Sequence, residues 1–468
     1  MSVAQAPISS SVDQAWQGVF PLPLTPMEAF LVADGRPGYP MMADIQLHFI
    51  GALDRELFES ALEAALARNP LYRCLLARDP RLGQVWVPTA QMPSIDWAPL
   101  DVPLDDRYDG TVDLTAEIGL RIWVRQGSDR STVLLHFHHA CADALGTFSF
   151  VEDFLAAYAT LCPGEQVVAQ RPLAPARLQR RGLASIPPRN WYQQIFDLFI
   201  GGREALRFFL QGPTPMASGS VAEVAAPRAP NVMRTRALGP ELTKRLRAVA
   251  SAAGVTVNDL LLCDLFVTMR RWNAQHGQPG TRSRLRILMP QNLREPEDAT
   301  TPAANIMSFA FLTRRSDCCD DVEALRKNVH AETEAIRRYR LSAYFLGSLA
   351  MALAAGVLDK FLASRLCFSS AVLSNFGVPT RRFVAEFPRT DEGIVVGNTV
   401  LCGLTGVPPT RPGTRAAFAV VTSTCDLSIS VKCDPRHFGP VDAARLLDEY
   451  VNQVAATAAQ GPVAGNRC

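Results

Sequence analysis

The fold of this chain is decided by the stretch His136-Phe137-His138-His139-Ala140-Cys141-Ala142-Asp143. Apart from its histidines, the run from Thr132 to His138 is β-branched or apolar, which predicts a strand. Successive side chains of a strand point to opposite faces, so His139 faces away from His136 and His138. The strand pattern stops here, and Asp143 is placed to cap a following helix. We therefore predict a strand-to-helix junction carrying imidazoles, whose reference pKa of about 6.5 suits proton transfer near pH 7.

Three other interpretations of this junction stay open on the residues alone. Histidines of globular proteins are often core residues whose ring nitrogens bond to the backbone. A His-x-His pair followed by an Asp is also compatible with zinc. We predict no metal site, because the remaining histidines stand in no paired motif: His48, His276, His330 and His437. Cys141 beside a cationic imidazole is a candidate nucleophile, although a buried thiol more often only fills space.

The composition is that of an ordinary globular protein. The chain has 468 residues, 48% hydrophobic and 20% charged, which is enough for two or more cores. A net charge of +2 gives no reason to expect nucleic acid as a partner. Eleven Cys, an odd number without a Cys-x-x-Cys, do not make a disulfide framework. Met1 to Gly18 shows no secretory signal pattern, so we expect reduced thiols and a cytoplasmic location.

Two mixed αβ halves are predicted on either side of a proline-rich segment. In the first half, Asp44 to Ile50 alternates as a half-buried strand, and Asp54 caps an amphipathic helix that Asn69-Pro70 ends. Residues 171–232 are rich in proline and contain one aromatic helix candidate, Trp191 to Leu210. The second half opens at a Thr256–Asp259 capping box. Its further predicted elements are Leu285 to Pro290, Asn305 to Leu312, Arg415 to Thr422, Leu427 to Cys433 and Val441 to Val454.

These elements divide the chain into three parts. We predict an N-terminal lobe over residues 1–180, a crossover with a lid-like helix over residues 181–234, and a C-terminal lobe over residues 235–468. The fold class is therefore α/β with two lobes.

Two segments bear on membrane contact. Tyr344 to Leu358 is the most apolar segment, but a spanning helix needs about 20 apolar residues, so a buried helix is predicted. Trp191 to Leu210 is aromatic and follows several arginines, and an amphipathic helix with flanking cations can rest on anionic lipid. We expect this segment to cover an acceptor opening or to touch a membrane peripherally, with packing in a core as the alternative.

The stretch His138-His139-Ala140-Cys141-Ala142-Asp143-Ala144 resembles the His-His-x-x-x-Asp-Gly motif of the condensation-domain and chloramphenicol-acetyltransferase-like superfamily. Ala144 stands where that motif has Gly. Six other segments resemble blocks of the family in the same order: Leu24 to Phe30, Leu53 to Arg73, Thr256 to Leu262, Met289 to Arg294, Ala304 to Met307 and Leu373 to Gly377. The resemblance covers nearly the whole chain and looks closest to bacterial wax ester synthase/diacylglycerol acyltransferases and polyketide-associated acyltransferases.

The resemblance implies a fold and a reaction. Two chloramphenicol-acetyltransferase-like lobes would form a V around a central tunnel. The donor would be a thioester, either acyl-coenzyme A or an acyl group on the phosphopantetheine of a carrier protein, with no permanently bound cofactor. The acceptor would be a small molecule or lipid presenting a hydroxyl or an amine.

The resemblance also implies roles for residues. The second histidine of the motif, His139, would be the general base, supported by His138, Asp143 and Arg294, with Asp143 paired to Arg294. Four residues would contact substrate: Ala144, Ser374, Asn375 and Gly377.

Three functions are compatible with these expectations. The first is a free-standing acyltransferase that makes an ester or amide. The second is a carrier-protein-dependent condensation enzyme of a biosynthetic assembly line. The third is a non-catalytic relative that serves as a binding module, which the methyl group of Ala144 permits.

Overall fold

The computed structural model describes residues 16–164, 167–182, 202–203, 206, 208, 210–219, 232–278, 280, 282–363, 366–423 and 426–460. Most of the predicted crossover and of the helix candidate Trp191 to Leu210 lies outside these residues. The expectations about a lid-like helix and its membrane contact therefore stay predictions.

The first half is built on a six-stranded sheet with the motif strand in its interior. The strand order is β12–β13–β2–β7–β6–β5, in which β12 (Ile394–Val396) and β13 (Thr399–Val407) come from the second half of the chain. Strand β7 pairs antiparallel with both β2 and β6. The strands contributed by this half are β2 (Met42–Ile50), β5 (Ser94–Pro99), β6 (Leu120–Gln126) and β7 (Arg130–His138). A small second sheet combines β1 (Leu22–Pro23), β3 (Cys74–Asp79) and β4 (Gly83–Pro88). The helices are α1 (Pro26–Asp34), α2 (Arg55–Arg68) and α3 (Ala144–Leu161).

The second half is built on another six-stranded sheet, in the order β10–β9–β11–β14–β15–β8. Its strands are β8 (Arg234–Ala237), β9 (Arg284–Asn292), β10 (Met307–Arg315), β11 (Ala371–Gly377), β14 (Ala416–Ser423) and β15 (Asp426–Cys433). Its helices are α4 (Pro240–Ala252), α5 (Val257–Gln275), α6 (Val322–Tyr339), α7 (Ala343–Ala354), α8 (Leu358–Ala363) and α9 (Pro440–Ala459). Along β9, Leu285 and Ile287 pack in one core and Leu288 packs in the other, so this sheet is buried on both faces.

A segment of the second half completes the sheet of the first half. Strands β12 (Ile394–Val396) and β13 (Thr399–Val407) pair with each other, and β13 pairs antiparallel with β2 over Val400 to Val407. The sequence analysis did not predict these two strands. The predicted lobe boundaries at residues 180 and 235 stay predictions, and the sheet pairing of β13 runs across them.

The predicted elements appear with small shifts of their ends. The capping boxes form at Thr25–Glu28 and at Thr256–Asp259, and Asp54 caps α2. The strand predicted from Asn305 begins at Met307 instead. The α/β fold class predicted from the sequence is confirmed, whereas the V arrangement and the tunnel stay predictions.

The buried helix predicted over Tyr344 to Leu358 is only partly correct. Helix α7 ends at Ala354, because Gly356 adopts a left-handed conformation with φ of 64°. Leu346 and Leu349 are buried, but Met351 near the end of α7 is 63% exposed. In the described part of the chain no single helix is long and apolar enough to cross a bilayer, although α4 and α5, bent by 102°, pass that test of length and composition as a pair.

Candidate active site

The backbone of the motif junction is held from both halves of the chain. Strand β7 ends at His138, and the amide of His139 donates a hydrogen bond to the carbonyl of Met41 at 2.9 Å. From the second half, Asn305 Nδ2 donates to the carbonyl of His139 at 2.9 Å and to that of Ala140 at 2.8 Å. The position of His139 therefore depends on contacts that no single segment provides.

The ring of His139 differs from those of its neighbours in exposure. His139 is half-buried, and its buried nitrogen is Nδ1, which has no hydrogen bond of normal geometry within the described residues. Burial lowers the pKa of His139, while its own carbonyl, the charge of Asp143 and the side chain of Asn305 act against this lowering. The imidazole is therefore neutral at pH 7, with Nε2 as the nitrogen on its more exposed side.

His138 has a structural environment. It is 3% exposed, and its Nδ1 accepts a hydrogen bond from the amide of Ala140 at 3.2 Å. Burial, together with the nearby charges of His139 and His136, lowers the pKa of His138 to about 3. The neutral ring of His138 accepts a hydrogen bond from the Ala140 amide and so stabilises the junction. With a pKa this low, His138 does not take up a proton near pH 7.

Asp143 links the junction to the second half through both of its oxygens. Oδ1 accepts from the amide of Gly146 at 2.8 Å and so caps α3. Oδ2 accepts from Arg294 Nη1 at 2.8 Å and from the amide of Ile306 at 2.9 Å. The cap was predicted from the residues and the ion pair from the family resemblance, and in the structure one carboxylate makes both.

The first turn of α3 packs closely against the second half. Ala144 is its first residue and is half-buried. A Cβ atom at Gly146 would lie 2.7 Å from the carbonyl oxygen of Ala304 and 2.8 Å from its nitrogen, so this position requires glycine. The contact of Ala144 with a donor stays a prediction.

The other predicted substrate residues lie at the end of β11, beside α3. Ser374 is buried, and Asn375 is exposed and donates through Nδ2 to Asn258 Oδ1 at 3.2 Å. Gly377 has a φ of 66°. Between them, the ring of Phe376 packs edge-on against Phe148 of α3, with centroids 5.6 Å apart. The structure thus brings this block next to the motif helix, while its contact with substrate stays a prediction.

The geometry disfavours the other interpretations of the junction. Cys141 is fully buried, and burial raises the pKa of its thiol far above the ordinary range, so a nucleophilic thiolate is not expected. Among the described residues, no three His, Cys, Asp or Glu side chains are grouped as metal ligands would be. The interpretation as core histidines fits His136 and His138, but it does not fit the half-buried His139.

His136 belongs to a separate buried cluster that the sequence analysis did not predict. Its Nδ1 lies 2.6 Å from Asp44 Oδ1, and Tyr108 donates its hydroxyl to Asp44 Oδ2 at 2.5 Å. Lys432, from β15 of the second half, lies 3.4 Å from Asp44 Oδ2 and donates to the Tyr108 oxygen at 3.0 Å. Asp44 is 1% exposed although it begins a strand predicted as half-buried.

Two positioning contributions at His139 were also missed. Met41 accepts from the His139 amide while it adopts a left-handed conformation, with φ of 51°, which is unusual for a residue other than glycine. Asn305 lay in a recognised block, but its contacts with the carbonyls of the junction have no local sequence signal.

Sequence comparisons with known proteins find a relative but no family model. No family model matches the sequence. An uncharacterized protein of Mycobacterium tuberculosis, present in two strains, is 25% identical over an alignment of 314 residues that covers 64% of this chain and 68% of that protein.

Solved structures of similar fold include biosynthetic domains and an acetyltransferase. The first condensation domain of the CDA synthetase superposes with a TM-score of 0.65 at 16% identity, over 94% of this chain and 96% of that one. The TRI3 trichothecene 15-O-acetyltransferase from Fusarium sporotrichioides gives 0.68 at 11% identity, over 93% and 95%. The condensation domain of the Monacolin K polyketide synthase MokA gives 0.60 at 15% identity, over 94% and 97%. These likenesses concern the fold, and with the ordered sequence blocks they show that the chain has the fold of the condensation-domain and chloramphenicol-acetyltransferase-like superfamily.

Proposed function

We propose that this protein transfers an acyl group from a thioester to a hydroxyl or amine, with His139 as general base. The observation that carries the proposal is a difference in burial and polar contacts among three histidines: His136 and His138 of β7, and His139, which follows the strand. His136 and His138 are fully buried with fixed polar partners, whereas His139 is half-buried and neutral at pH 7, and among the described residues no hydrogen bond of normal geometry fixes its Nδ1. Such an imidazole can accept a proton without first losing a partner.

In the proposed reaction, proton transfer to His139 accompanies attack of the acceptor on the thioester. Nε2 of His139 removes the proton of the acceptor hydroxyl or amine while the acceptor atom attacks the thioester carbonyl carbon. The C–S bond then breaks, and the leaving thiolate takes the proton from the imidazolium, which restores neutral His139. A positioned base of this kind typically contributes about 10²–10⁴-fold to the rate. The products are an ester or amide and a free thiol.

The lowered pKa of His139 has a consequence for the pH profile. A general base works only while it is deprotonated, so activity should persist below pH 6.5 and fall as the pH drops through the pKa of His139. The donor, coenzyme A thioester or carrier-bound thioester, belongs to the same proposal. The solved neighbours named as domains of a synthetase and a polyketide synthase favour testing both.

The test is release of free thiol with octanoyl-coenzyme A and an alcohol or amine, followed by His139→Ala. We expect the variant to lose at least about 100-fold in rate with an unchanged thermal midpoint. The matched control is His48→Ala, which removes another half-buried histidine, bonded to Thr405 at 3.3 Å, and should keep its rate within threefold.

Three outcomes separate the candidate functions. Turnover only with octanoyl-phosphopantetheine on a carrier protein would indicate a condensation-type enzyme. A His139→Ala rate within tenfold of the unmodified protein would contradict the general-base role. Absence of turnover with both donors would favour the non-catalytic binding module.

A further inference from the structure

A cavity of about 470 Å³ lies in the second half, between β10 and the helices α6 to α8. Protein interiors are normally packed with few voids larger than a water molecule, and cavities of roughly 300–1,000 Å³ are typical of ligand sites. His139 does not line it. Its walls are mainly aromatic and aliphatic, with Phe309, Phe311, Phe345, Leu349, Ala352 and Phe361 among them.

The cavity is elongated along two elements. On β10 its lining extends from Phe309 to Thr313, which is about 13 Å at 3.3 Å per residue. On α7 it extends from Tyr344 to Ala352, which is about 12 Å at 1.5 Å per residue. Lining of this length, in which aromatic and aliphatic side chains predominate, can accommodate a flexible alkyl chain.

Two polar side chains of the wall, Arg286 and Thr313, meet at the far end of β10. Arg286 of β9 lies opposite Thr313 and donates from Nε to its hydroxyl at 2.9 Å. The guanidinium also donates to the carbonyls of Phe208 and Gln211, and lies 4.4 Å from the centroid of the Phe208 ring. Ser342 and Ser348 add two hydroxyl groups to the wall, whereas the rings of Phe309, Phe311 and Phe345 pack against one another and make their part of the wall apolar.

Two segments of the chain run from the aromatic part of the cavity wall to the candidate active site. Phe30 of α1 packs edge-on against Phe309 and Phe345, with centroids 6.2 and 5.9 Å apart. Helix α1 leads directly to Gly35, where a Cβ atom would lie 3.6 Å from His138 Nε2. On the other side, Asn305 holds the carbonyl of His139 and precedes Phe309 by only four residues. Helix α1 and the segment from Asn305 to Phe309 therefore connect the cavity wall to His138 and His139.

The outer rim of the cavity is apolar as well. Val357 lines the cavity and is 45% exposed, and it follows Met351 and Leu353, which are 63% and 43% exposed. Met351 and Leu353 do not line the cavity, but together with Val357 they expose three large apolar side chains within seven residues, which is unusual for a surface that meets only water. Their position suits the entry of an apolar chain from the α7–α8 side.

We propose that this cavity binds an unbranched alkyl chain of a substrate, which runs from the α7–α8 rim toward Phe30. The binding claim rests on the cavity itself, and the link to turnover rests on the proposed function. The chain belongs either to the acyl donor or to the acceptor, and the chemistry recognised is the same in both cases.

The binding test uses a dansyl-labelled undecanoic acid as fluorescent probe, with decanoic acid and decanol as competitors. Ala352→Phe places a ring in the cavity and should weaken probe binding at least tenfold. Ala354→Phe is the matched control, because Ala354 lies on the same helix, is exposed and does not line the cavity. It should bind the probe within twofold of the unmodified protein. Ser348→Leu is a second variant that fills the cavity more gently, and thermal midpoints check folding.

The activity test varies one chain at a time. Acyl-coenzyme A donors of two to sixteen carbons are compared with ethanol as acceptor, and alcohols of the same range are compared with acetyl-coenzyme A. Ala352→Phe should shorten the preferred chain of one substrate, whereas the control Ala354→Phe should leave both chain preference and turnover unchanged. The series that shifts identifies the donor or the acceptor as the source of the chain.

The outcomes keep the two proposals apart. Probe binding that is lost in Ala352→Phe, with no acyl transfer by the unmodified protein, would support the cavity and contradict the proposed function. Turnover with unchanged probe binding and chain preference in both cavity variants would overturn the cavity inference and leave the proposed function standing.

Discussion

Two buried carboxylates flank the motif strand, and each pairs with a cation from the other half of the chain. Asp143 follows β7 and bonds to Arg294 at 2.8 Å, while Asp44 lies beside β7 on β2, with Lys432 at 3.4 Å. Asp143 also accepts two backbone amides, from Gly146 and Ile306. Asp44 has side-chain partners instead, namely His136, Tyr108 and Lys432.

The two carboxylates join the halves of the chain through different kinds of partner. Two of the donors to Asp143 are backbone amides, which no side-chain substitution removes, so these contacts are lost mainly when Asp143 itself is replaced. The environment of Asp44 depends on three titratable side chains, and it should respond to single substitutions and to pH. Lys432 is notable in this respect, because the chain contains only four lysines against 43 arginines.

The largest effect is expected at Asp143. Asp143→Ala removes the acceptor of two amides, the cap of α3 and the partner of Arg294 together. Breaking a buried ion pair costs about 3–5 kcal/mol, and we expect a loss of unfolding free energy in this range. Urea unfolding at pH 7 measures it. Asp143→Asn keeps an oxygen for the cap and should lose less, and a loss under about 1 kcal/mol in Asp143→Ala would show that the junction does not depend on this residue.

A smaller effect is expected at Lys432. Burial raises the pKa of Asp44, but Lys432 and His136 outweigh burial and bring that pKa to about 2. Because this is below the ordinary value of 3.8, the stability gained by Asp44 is present above about pH 4 and is lost as pH falls toward 2. Lys432→Met should remove most of it, about 2 kcal/mol at pH 7, since one pKa unit is worth about 1.4 kcal/mol.

Urea unfolding of Lys432→Met between pH 7 and pH 3 tests this prediction. The difference from the unmodified protein should shrink as the pH approaches 3. The control is Lys327→Met, which removes an exposed lysine of a surface pair with Glu323 and should cost little. A difference that stays constant with pH would mean that Lys432 stabilises the protein by packing rather than by its charge.

The contrast between the two carboxylates also explains which parts of the structure were predictable. His139, Asp143 and the cap of α3 lie within a few residues of each other, so their local spacing carried the prediction, and a recognised block supplied Arg294. Asp44 and Lys432 are separated by 388 positions, and each occupies a polar position in an ordinary alternating strand pattern. No local pattern therefore predicts their contact. The transfer of β12 and β13 to the first sheet is unpredictable for the same reason, since strand pairing is set by tertiary contacts.

His138 lies between the two carboxylates in the chain, and although it is a base rather than an acid, its contribution to stability is also lost as the pH falls. Its pKa of about 3 lies below the ordinary 6.5, so the unfolded chain takes up a proton well before the folded protein. The stability gained by keeping this ring neutral is therefore present above pH 6.5 and is lost as pH falls toward 3. In His138→Asn the amide oxygen can still accept from Ala140, but nothing titrates.

We expect His138→Asn to be less stable than the unmodified protein at pH 7, by about 1–2 kcal/mol for altered packing. The gap should narrow at pH 5.5 and change sign by pH 4, because the unmodified protein loses about 1.4 kcal/mol per pH unit below pH 6.5, and urea unfolding measures it. A gap of equal size at all three pH values would contradict the assignment of a neutral, buried His138.

The smallest effect is expected at Ala144, which follows Asp143 directly and differs from the motif's Gly by one methyl group. Ala144→Gly removes no polar contact, so the ion pair and cap of Asp143 should persist, and the helix cost of Ala to Gly is at most about 1 kcal/mol. Ala64→Gly in α2 is the control, because Ala64 is also half-buried and helical but lies outside the motif. If the methyl group narrows the donor path, Ala144→Gly should keep or widen the range of acyl-coenzyme A chain lengths, and Ala64→Gly should not. Initial rates with donors of two to sixteen carbons measure this range. An identical range and rate in both variants would show that Ala144 does not line the donor path, and the difference from the motif would then affect only the first turn of α3.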